Sequence, residues 1–301
     1  MTKEDISRRA RELGFAKTYY IKPYASDEEP AIPGLLRDPL AALPTAQTVI
    51  VLLMPYAPAR ETDSQDGVIS PYYAASNAAY RGAKTLAGEI SEGGFAAIAN
   101  AQFPLKPMLI RAGIGTQGRN SLVHVDGLGS AFHVQTIITD ETFACDAPTA
   151  PADLCVNCGA CVRACPVSAI GPDRSVDRSK CLRAVSETEP IPENVRPLLG
   201  NRILGCDICQ NVCPYNAALS GGEPIKVLLS DLLDGDIDAL KLLIGSNYAH
   251  KKKLAIKAAI VAGNLKRIDL IPKIKELMNT TDEASVKEAC VWALNRMEES
   301  I

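Results

Sequence analysis

Apolar and charged residues recur at helical spacing over residues 3–14, and Gly14 stops the run, which predicts an N-terminal helix. Residues 16–21 read as extended. A loop carrying Pro30, Pro33, Pro39 and Pro44 then leads into QTVIVLLMPY, whose apolar block VIVLLM (49–54) has the length of a buried strand. Residues 77–90 predict a helix ended near Gly93–Gly94, and the alternation in FHVQTIITD (132–140) predicts another strand. Residues 1–147 are therefore expected to form an α+β or α/β domain.

The pattern then changes twice. Residues 148–222 hold eight cysteines among short loops and helical turns, and are expected to form a second, metal-binding module. From 223 to 301 Leu, Ile, Ala and Lys dominate. Within 268–297 one amphipathic helix carries Ile271, Ile274 and Leu277, and the next carries Val286, Ala289, Cys290 and Ala293. This resembles a HEAT-type helical repeat, and the stretch from His250 to Lys266 can supply one more helix of the stack. So few units do not bury a core alone and are expected to pack on the rest of the protein. Trp292 reads as a core residue.

Composition narrows the class. The chain has 301 residues, a net charge of -3 and 47% hydrophobic residues, which suits a soluble globular protein of two or three modules. No apolar run reaches eighteen residues, so no transmembrane helix is expected. The charged N-terminus lacks the apolar core of a secretory signal, and the expected location is the cytoplasm. A nucleic-acid partner would need a local basic face. Lys251, Lys252, Lys253 and Lys257, with Lys266 and Arg267, could meet phosphates; they could equally form an ordinary solvated helix face.

Candidate chemistry lies in ten cysteines. In a reducing compartment clustered cysteines point to metal rather than disulfides. CVNCGACVRACP places Cys155, Cys158, Cys161 and Cys165 before Pro166, and a second run places Cys206, Cys209 and Cys213 before Pro214. Two-residue gaps let a tight loop present three thiolates to three irons of a 4Fe–4S cube. In two-cluster proteins the cysteine before the proline crosses to the other cluster. That rule assigns Cys155, Cys158, Cys161 and Cys213 to one cluster. It assigns Cys165, Cys206 and Cys209 to the other, with Cys181 filling the gap in the later run. Cys145 and Cys290 are left as free thiols. Paired Cys-x-x-Cys units also hold zinc, but the unbroken four-cysteine run ending in proline favours iron–sulfur. Two clusters in so short a module suit electron transfer.

GIGTQG (113–118) matches G-x-G-x-x-G, yet a dinucleotide site needs a strand before it and a helix after it. Here KPMLIRA precedes and reads as helical, and RNSLVHVDGLGS follows and reads as extended, then turned. The alternatives are a glycine turn packed near the core, or a loop whose glycines admit a flat cofactor.

Several stretches carry a family likeness: RAGIGTQGRNSLV (111–123), LGSAFHVQTIITD (128–140), the first cysteine run, Lys180–Cys181, and above all IPENVRPLLGNRILGCDICQNVCPYN (191–216). In these the chain resembles the epoxyqueuosine reductases, cobalamin- and iron–sulfur-dependent enzymes of tRNA modification. The resemblance implies two 4Fe–4S clusters, a cobalamin, a tRNA substrate and a low-potential electron donor protein. It implies a corrin lying against Gly115, Gly118, Asn120 and Ser121, with Gly129, Ser130 and Phe132 in the same pocket. The chain departs from the family where its general acid is expected, having Asn100, Ala101 and Gln102 there. Tyr80–Arg81 replaces a Tyr-His pair. Substitute proton donors are Tyr72, Tyr73, Tyr80, His124 and His133. A chain that kept the clusters and scaffold without the acid could instead be a non-catalytic electron-transfer protein.

Overall fold

The computed structural model describes residues 1–23, 39–100, 103–153, 155–219 and 221–298. Of the features read from sequence, Pro30, Pro33, Ala101 and Gln102 lie outside the described residues. The chain forms two compact units: Met1–Tyr56 with Ala75–Cys158, and Ala57–Ala74 with Gly159–Ile301.

The elements run in chain order as follows. α1 (Lys3–Glu12), β1 (Lys17–Ile21), α2 (Pro39–Ala42) and β2 (Thr48–Pro55) open the first unit. β3 (Gly67–Ile69) and the start of α3 (Tyr72–Glu92) fall in the second. β4 (Ala97–Ala99), α4 (Leu105–Arg111), β5 (Thr116–Gln117), β6 (Val123–His124) and β7 (Phe132–Thr139) return to the first. α5 (Ala160–Ala164), α6 (Leu182–Val185), β8 (Arg202–Leu204), α7 (Ile208–Asn211) and β9 (Ile225–Val227) carry the cysteine region. α8 (Leu229–Asp234), α9 (Asp238–Ile244), α10 (Lys251–Asn264), α11 (Ile271–Thr280) and α12 (Ala284–Glu298) follow.

The first unit is built on one antiparallel sheet of order β1-β2-β7-β4. β2 is buried along almost its whole length, and its alternation explains why. Ile50, Leu52 and Met54 pack with Ile6 and Ala10 of α1 and Ala83, Leu86 and Ile90 of α3. Val49, Val51 and Leu53 pack on the opposite side with Met108 and Leu109 of α4, Ile114 and Val125. An antiparallel strand usually leaves one face to water; covering both faces makes this one read as a continuous apolar run. α1 begins with a capping box, in which Thr2 Oγ1 accepts from Asp5 N at 3.2 Å and Thr2 N donates to Asp5 Oδ2 at 3.2 Å.

α3 starts five residues before the expected 77, at Tyr72. Ser70 begins it, its Oγ accepting from Tyr72 N at 3.3 Å and its carbonyl from Tyr73 N at 3.2 Å. The sequence pattern missed that start because the first turn is two tyrosines and small residues, without an apolar stripe.

In the second unit β3 pairs in parallel with β8 and antiparallel with β9. None of these three-residue strands was legible as a period-2 run. One core joins Ile69 and Tyr73 to Leu182, Leu199, Ile203, α8, and the facing sides of α10, α11 and α12. The side chains expected on the inner faces are there: Ile274, Val286, Ala289, Cys290 and Ala293 are all buried. Gly263 lets α10 and α12 touch, since a Cβ at that position would lie 3.0 Å from Ala293 Cα. Trp292 is only partly buried against this core. Its ring centroid lies 5.7 Å from the Arg196 guanidinium and 5.4 Å from that of Arg296. Among the described residues no helix is long and apolar enough to cross a membrane.

Candidate functional site

The later cysteine run sits in a loop whose polar residues are almost all engaged. Gly205 has φ +90, and a Cβ on it would meet Ser70 Cβ at 2.6 Å. Only glycine can turn the chain here and bring Cys206 in against the core. Asp207 is buried, and its Oδ2 accepts from Ala59 N at 3.1 Å. Asn211 Nδ2 donates to Ala59 O at 2.5 Å. Asn216, fully buried, donates from Nδ2 to Gln210 O at 3.0 Å, and its N–H bonds Cys213 O at 2.9 Å. Fixed backbone of this kind suits a rigid prosthetic group, because no loop reorganisation is left to oppose binding.

Cys181 caps α6: its carbonyl accepts from Ala184 N and Val185 N, both at 2.8 Å. Cys165 closes α5, and its Sγ accepts from Ala169 N at 3.4 Å. Burial pushes the Cys209 thiol up to about 12, reinforced by Cys206, Cys161 and Cys181 close by. Burial likewise raises Cys206, with Cys181 and Asp207 adding to it. Thiols gathered in a half-buried place resist ionising together unless a cation compensates. Iron supplies that cation, and binding releases the thiol protons. Among the described residues no three His, Cys, Asp or Glu side chains converge on a single-ion site. Cys145 is exposed and Cys290 is buried in the α-helical core.

The glycine loop of the first unit lies between α4 and the β5–β6 hairpin. A helix before it and a hairpin after it are the reverse of a dinucleotide fold. Gly118 N donates to Leu122 O at 2.8 Å and Ser121 N to Gly118 O at 3.0 Å, closing a tight turn in which Ser121 takes φ 61. A Cβ on Gly115 would meet Val123 Cγ1 at 2.4 Å, and one on Gly118 would meet His124 Nε2 at 2.3 Å. These two glycines admit the protein's own hairpin. Asn120 is buried; its Oδ1 accepts from Leu122 N at 3.3 Å, while its Nδ2 has no hydrogen-bond partner. Gly129 pairs with Val125 in a short bridge at φ 54, and Ser130 and Phe132 beside it are buried.

The proposed proton donors fall in different settings. Tyr72 and Tyr73 belong to the second unit. The Arg183 guanidinium covers the Tyr72 ring at 4.3 Å, and burial pushes the Tyr73 hydroxyl far above the usual phenol range. Tyr80 is 44% exposed, with Lys84 Nζ 5.6 Å from its ring. Asn100, the described residue of the expected acid position, donates from Nδ2 to Tyr80 O at 3.2 Å and sits at φ 61. So it is the Tyr80 backbone carbonyl that meets the described residue of the expected acid position. His133 lies half-buried on β7, its Nε2 3.0 Å from Gln135 Nε2. His124 is 1% exposed, and burial lowers it to about 4, so it holds no proton to give at neutral pH.

The lysines correct an expectation. Lys257 is 1% exposed and its Nζ bonds Glu187 Oε1 at 2.8 Å; it cannot reach a phosphate. Lys252 bridges Glu189 at 2.5 Å and Glu283 at 2.8 Å. Lys253 stands 4.0 Å from Glu187, and Lys251 is exposed. Composition showed the charges of this helix but not the acids facing them from residues 187–189.

Sequence reasoning missed Gly205, Asp207, Gln210, Asn216 and Arg183. The first four were visible as polar or glycine residues interleaved with cysteines, which in a buried loop must have backbone work to do.

The fold and these thiols define the class: a double-cluster 4Fe–4S protein with an antiparallel α+β unit. Residues 154–216 match the family described as a 4Fe-4S double cluster binding domain. The chain is similar to epoxyqueuosine reductases. It is 30% identical over 200 residues to that of Bacillus anthracis, covering 62% of this chain and 52% of the relative. It is 25% identical over 313 residues to that of Staphylococcus aureus, covering 93% and 80%. In the first of these matches the chain spans about half the relative's length. Its fold matches a crystal structure of epoxyqueuosine reductase with an epoxyqueuosine-modified tRNA-Tyr stem loop, with TM-score 0.81, 22% identity, and coverage of 98% and 90%.

Proposed function

We propose that the protein is an iron–sulfur, corrinoid-dependent reductase of the epoxyqueuosine reductase type, acting on the epoxide of a tRNA-borne nucleoside or on a related substrate. The observation that carries this is the double-cluster cysteine framework of 154–216 within a chain related over most of its length to these enzymes. On this reading residues 1–147 bind the corrinoid, 148–222 hold the clusters and 223–301 form a HEAT-type helical repeat. One cluster takes Cys155, Cys158, Cys161 and Cys213, and the other takes Cys165, Cys181, Cys206 and Cys209.

The glycine loop fits a corrinoid through one feature above all. Asn120 Nδ2 is a buried donor without a partner, and a ring edged with amide oxygens would satisfy it. Ser121, Gly129 and Ser130 complete the small, polar rim, and Phe132 gives an apolar wall. The cobalt of a bound corrinoid supplies low-potential electron density. Converting an epoxide to an alkene takes two electrons and two protons and releases the oxygen as water. Clusters held by the two cysteine sets would supply those electrons singly, from a donor protein. The chain's own part is to hold and orient the ring and to donate protons; Tyr80, whose backbone carbonyl accepts from Asn100 Nδ2 at 3.2 Å, is the candidate donor beside the expected acid position.

The test is anaerobic reconstitution with iron and sulfide, with and without cobalamin, followed by incubation with epoxyqueuosine-containing tRNA. A cobalamin spectrum in the purified complex and loss of the epoxide are expected; clusters that form without any cobalamin binding overturn the reading. The Asn100 substitution favours a second reading, an electron-transfer protein that kept the scaffold. It expects clusters that cycle with a partner and no epoxide turnover.

A further inference from the structure

Within the first unit the glycine loop meets the stretch that leads into the first cysteine run, at three places in the same order. Gly113, at φ +69, comes so close that a Cβ on it would lie 2.6 Å from Pro148 O. Thr116 Oγ1 donates to Pro151 O at 2.8 Å. Arg119 Nη2 donates to Val156 O at 3.1 Å. Val156 lies between Cys155 and Cys158, and Cys158 N donates to Cys155 O at 3.4 Å across that turn. The Val156 side chain is 62% exposed, so its packing does not hold the turn. Asp153, the only acid of residues 148–158, accepts from Cys155 N at 3.0 Å through its Oδ1. Arg119 is rooted in the tight turn closed by Gly118 and Ser121, where Lys106 Nζ also donates to Ser121 O at 2.7 Å. A fixed root at one end and a carbonyl of the cysteine turn at the other make its side chain a strut between the two loops.

We propose that Arg119 is a positioning residue of the cluster that takes Cys155 and Cys158: its hydrogen bond holds their turn in the ligating shape, and its positive charge raises that cluster's reduction potential. This rests on the reading that those two cysteines ligate one cluster. Outer hydrogen bonds orient the ligands of a metal centre, and a strut to the turn backbone does so for two thiolates at once. Reduction adds one negative charge to the cluster, and a cation nearby favours the reduced form. A guanidinium keeps its proton at every working pH, so the bias does not titrate away. The bond is exposed to solvent, which screens the charge and keeps its effect modest.

The test is an EPR-monitored redox titration of the reconstituted full chain, with its iron content and the rate at which iron leaves to an excess of chelator. Arg119→Gln should keep about eight irons per chain. It should lower one of the two midpoint potentials by about a threefold change in the reduction equilibrium, about 28 mV for one electron, and leave the other in place. Iron should leave it in two phases, half of the iron going several-fold faster than from the wild type. Arg119→Lys, which keeps the charge, should retain most of the wild-type potential. Thr116→Val unties the same stretch at Pro151 without touching a charge; it should speed the release and leave both midpoints alone. Unchanged midpoints or a wild-type release rate in Arg119→Gln overturn the proposal. So does an Arg119→Lys shift as large as that of Arg119→Gln, since charge would then not be at work. If Arg119→Gln does not fold, a wild-type release rate in Thr116→Val overturns it. A Cys155→Ala chain that keeps about eight irons overturns the ligand reading instead, and the iron count tells the two failures apart.

Discussion

The cysteine loop around 205–216 and the glycine loop around 113–124 are both short, irregular and glycine-dependent, yet they close in opposite ways. In the first, Asp207, Asn211 and Asn216 tie backbone to backbone and leave thiols as the reactive surplus. In the second, Gly115 and Gly118 close onto Val123 and His124, and the surplus is one amide donor, Asn120 Nδ2. A thiol set carries its chemistry in residue type and spacing. An amide on a turn acquires meaning only from what the fold leaves unpaired around it. The cysteine loop can therefore be read from the chain alone, and the glycine loop cannot.

The comparison breaks most visibly at Cys181. If the second cluster depends on it, Cys181→Ala should drop iron from about eight to about four atoms per chain after anaerobic reconstitution. A Cys145→Ala control should leave the count unchanged. An iron content that stays near eight in Cys181→Ala would show that the later run completes its cluster elsewhere.

Cys181 also shows how far sequence carried. Spacing alone exposed both cysteine runs, and the gap in the second pointed to a ligand between them. α1, α11 and α12 were legible because each presents a helical period to a core, and β2 and α10 because they are apolar runs covered on every side. β3, β8 and β9 were not, since three residues cannot display a period of two. Trp292 was read as core because an aromatic on an amphipathic helix usually is; two arginines stacked at its ring hold it at the rim instead. The partners of Lys252 and Lys257 lie far away in the chain, and no local pattern reports them.

The glycine loop makes a thermodynamic prediction through His124. Its folded value is lowered to about 4 by burial, below the ordinary value near 6.5 in the unfolded chain. The unfolded state therefore binds the extra proton first as pH falls. Stability from this residue is complete above pH ~6.5 and is lost progressively down to pH ~4, by on the order of 3 kcal/mol. Urea unfolding across that window should show the loss in the wild type and a flatter profile in His124→Gln. Parallel profiles would mean that the imidazole is not buried neutral.

Gly118→Ala tests the same packing sterically. The new methyl would lie 2.3 Å from His124 Nε2, and overpacking of this kind costs about 1–3 kcal/mol. Gly88, within α3, has nothing within 4 Å of its Cβ position; Gly88→Ala should be neutral or stabilising by about 0.5–1 kcal/mol, as alanine favours a helix. The midpoint difference between the two variants in chemical denaturation measures how tightly the glycine loop is shut. Equal midpoints would mean that the Gly118 position has room for a methyl and that His124 does not pack there.

The smallest effect separates surface charge from buried charge on α10. Lys251 is exposed and Lys257 is sealed against Glu187. If tRNA contacts this helix, Lys251→Ala should weaken binding uniformly and reduce the slope of log affinity against log salt by about one. Lys257→Met should leave both unchanged. Exchanging a buried pair's lysine for an apolar side chain of similar length should also alter stability little, because the desolvation that burial imposes on the ammonium disappears with it. Glu187→Gln, which strands the buried ammonium, should destabilise the fold more than Lys257→Met does. Filter binding at two or more salt concentrations, run beside denaturant titrations of the three variants, reads both halves of the claim. A salt slope that falls in Lys257→Met would mean that the helix opens to present that lysine when RNA binds.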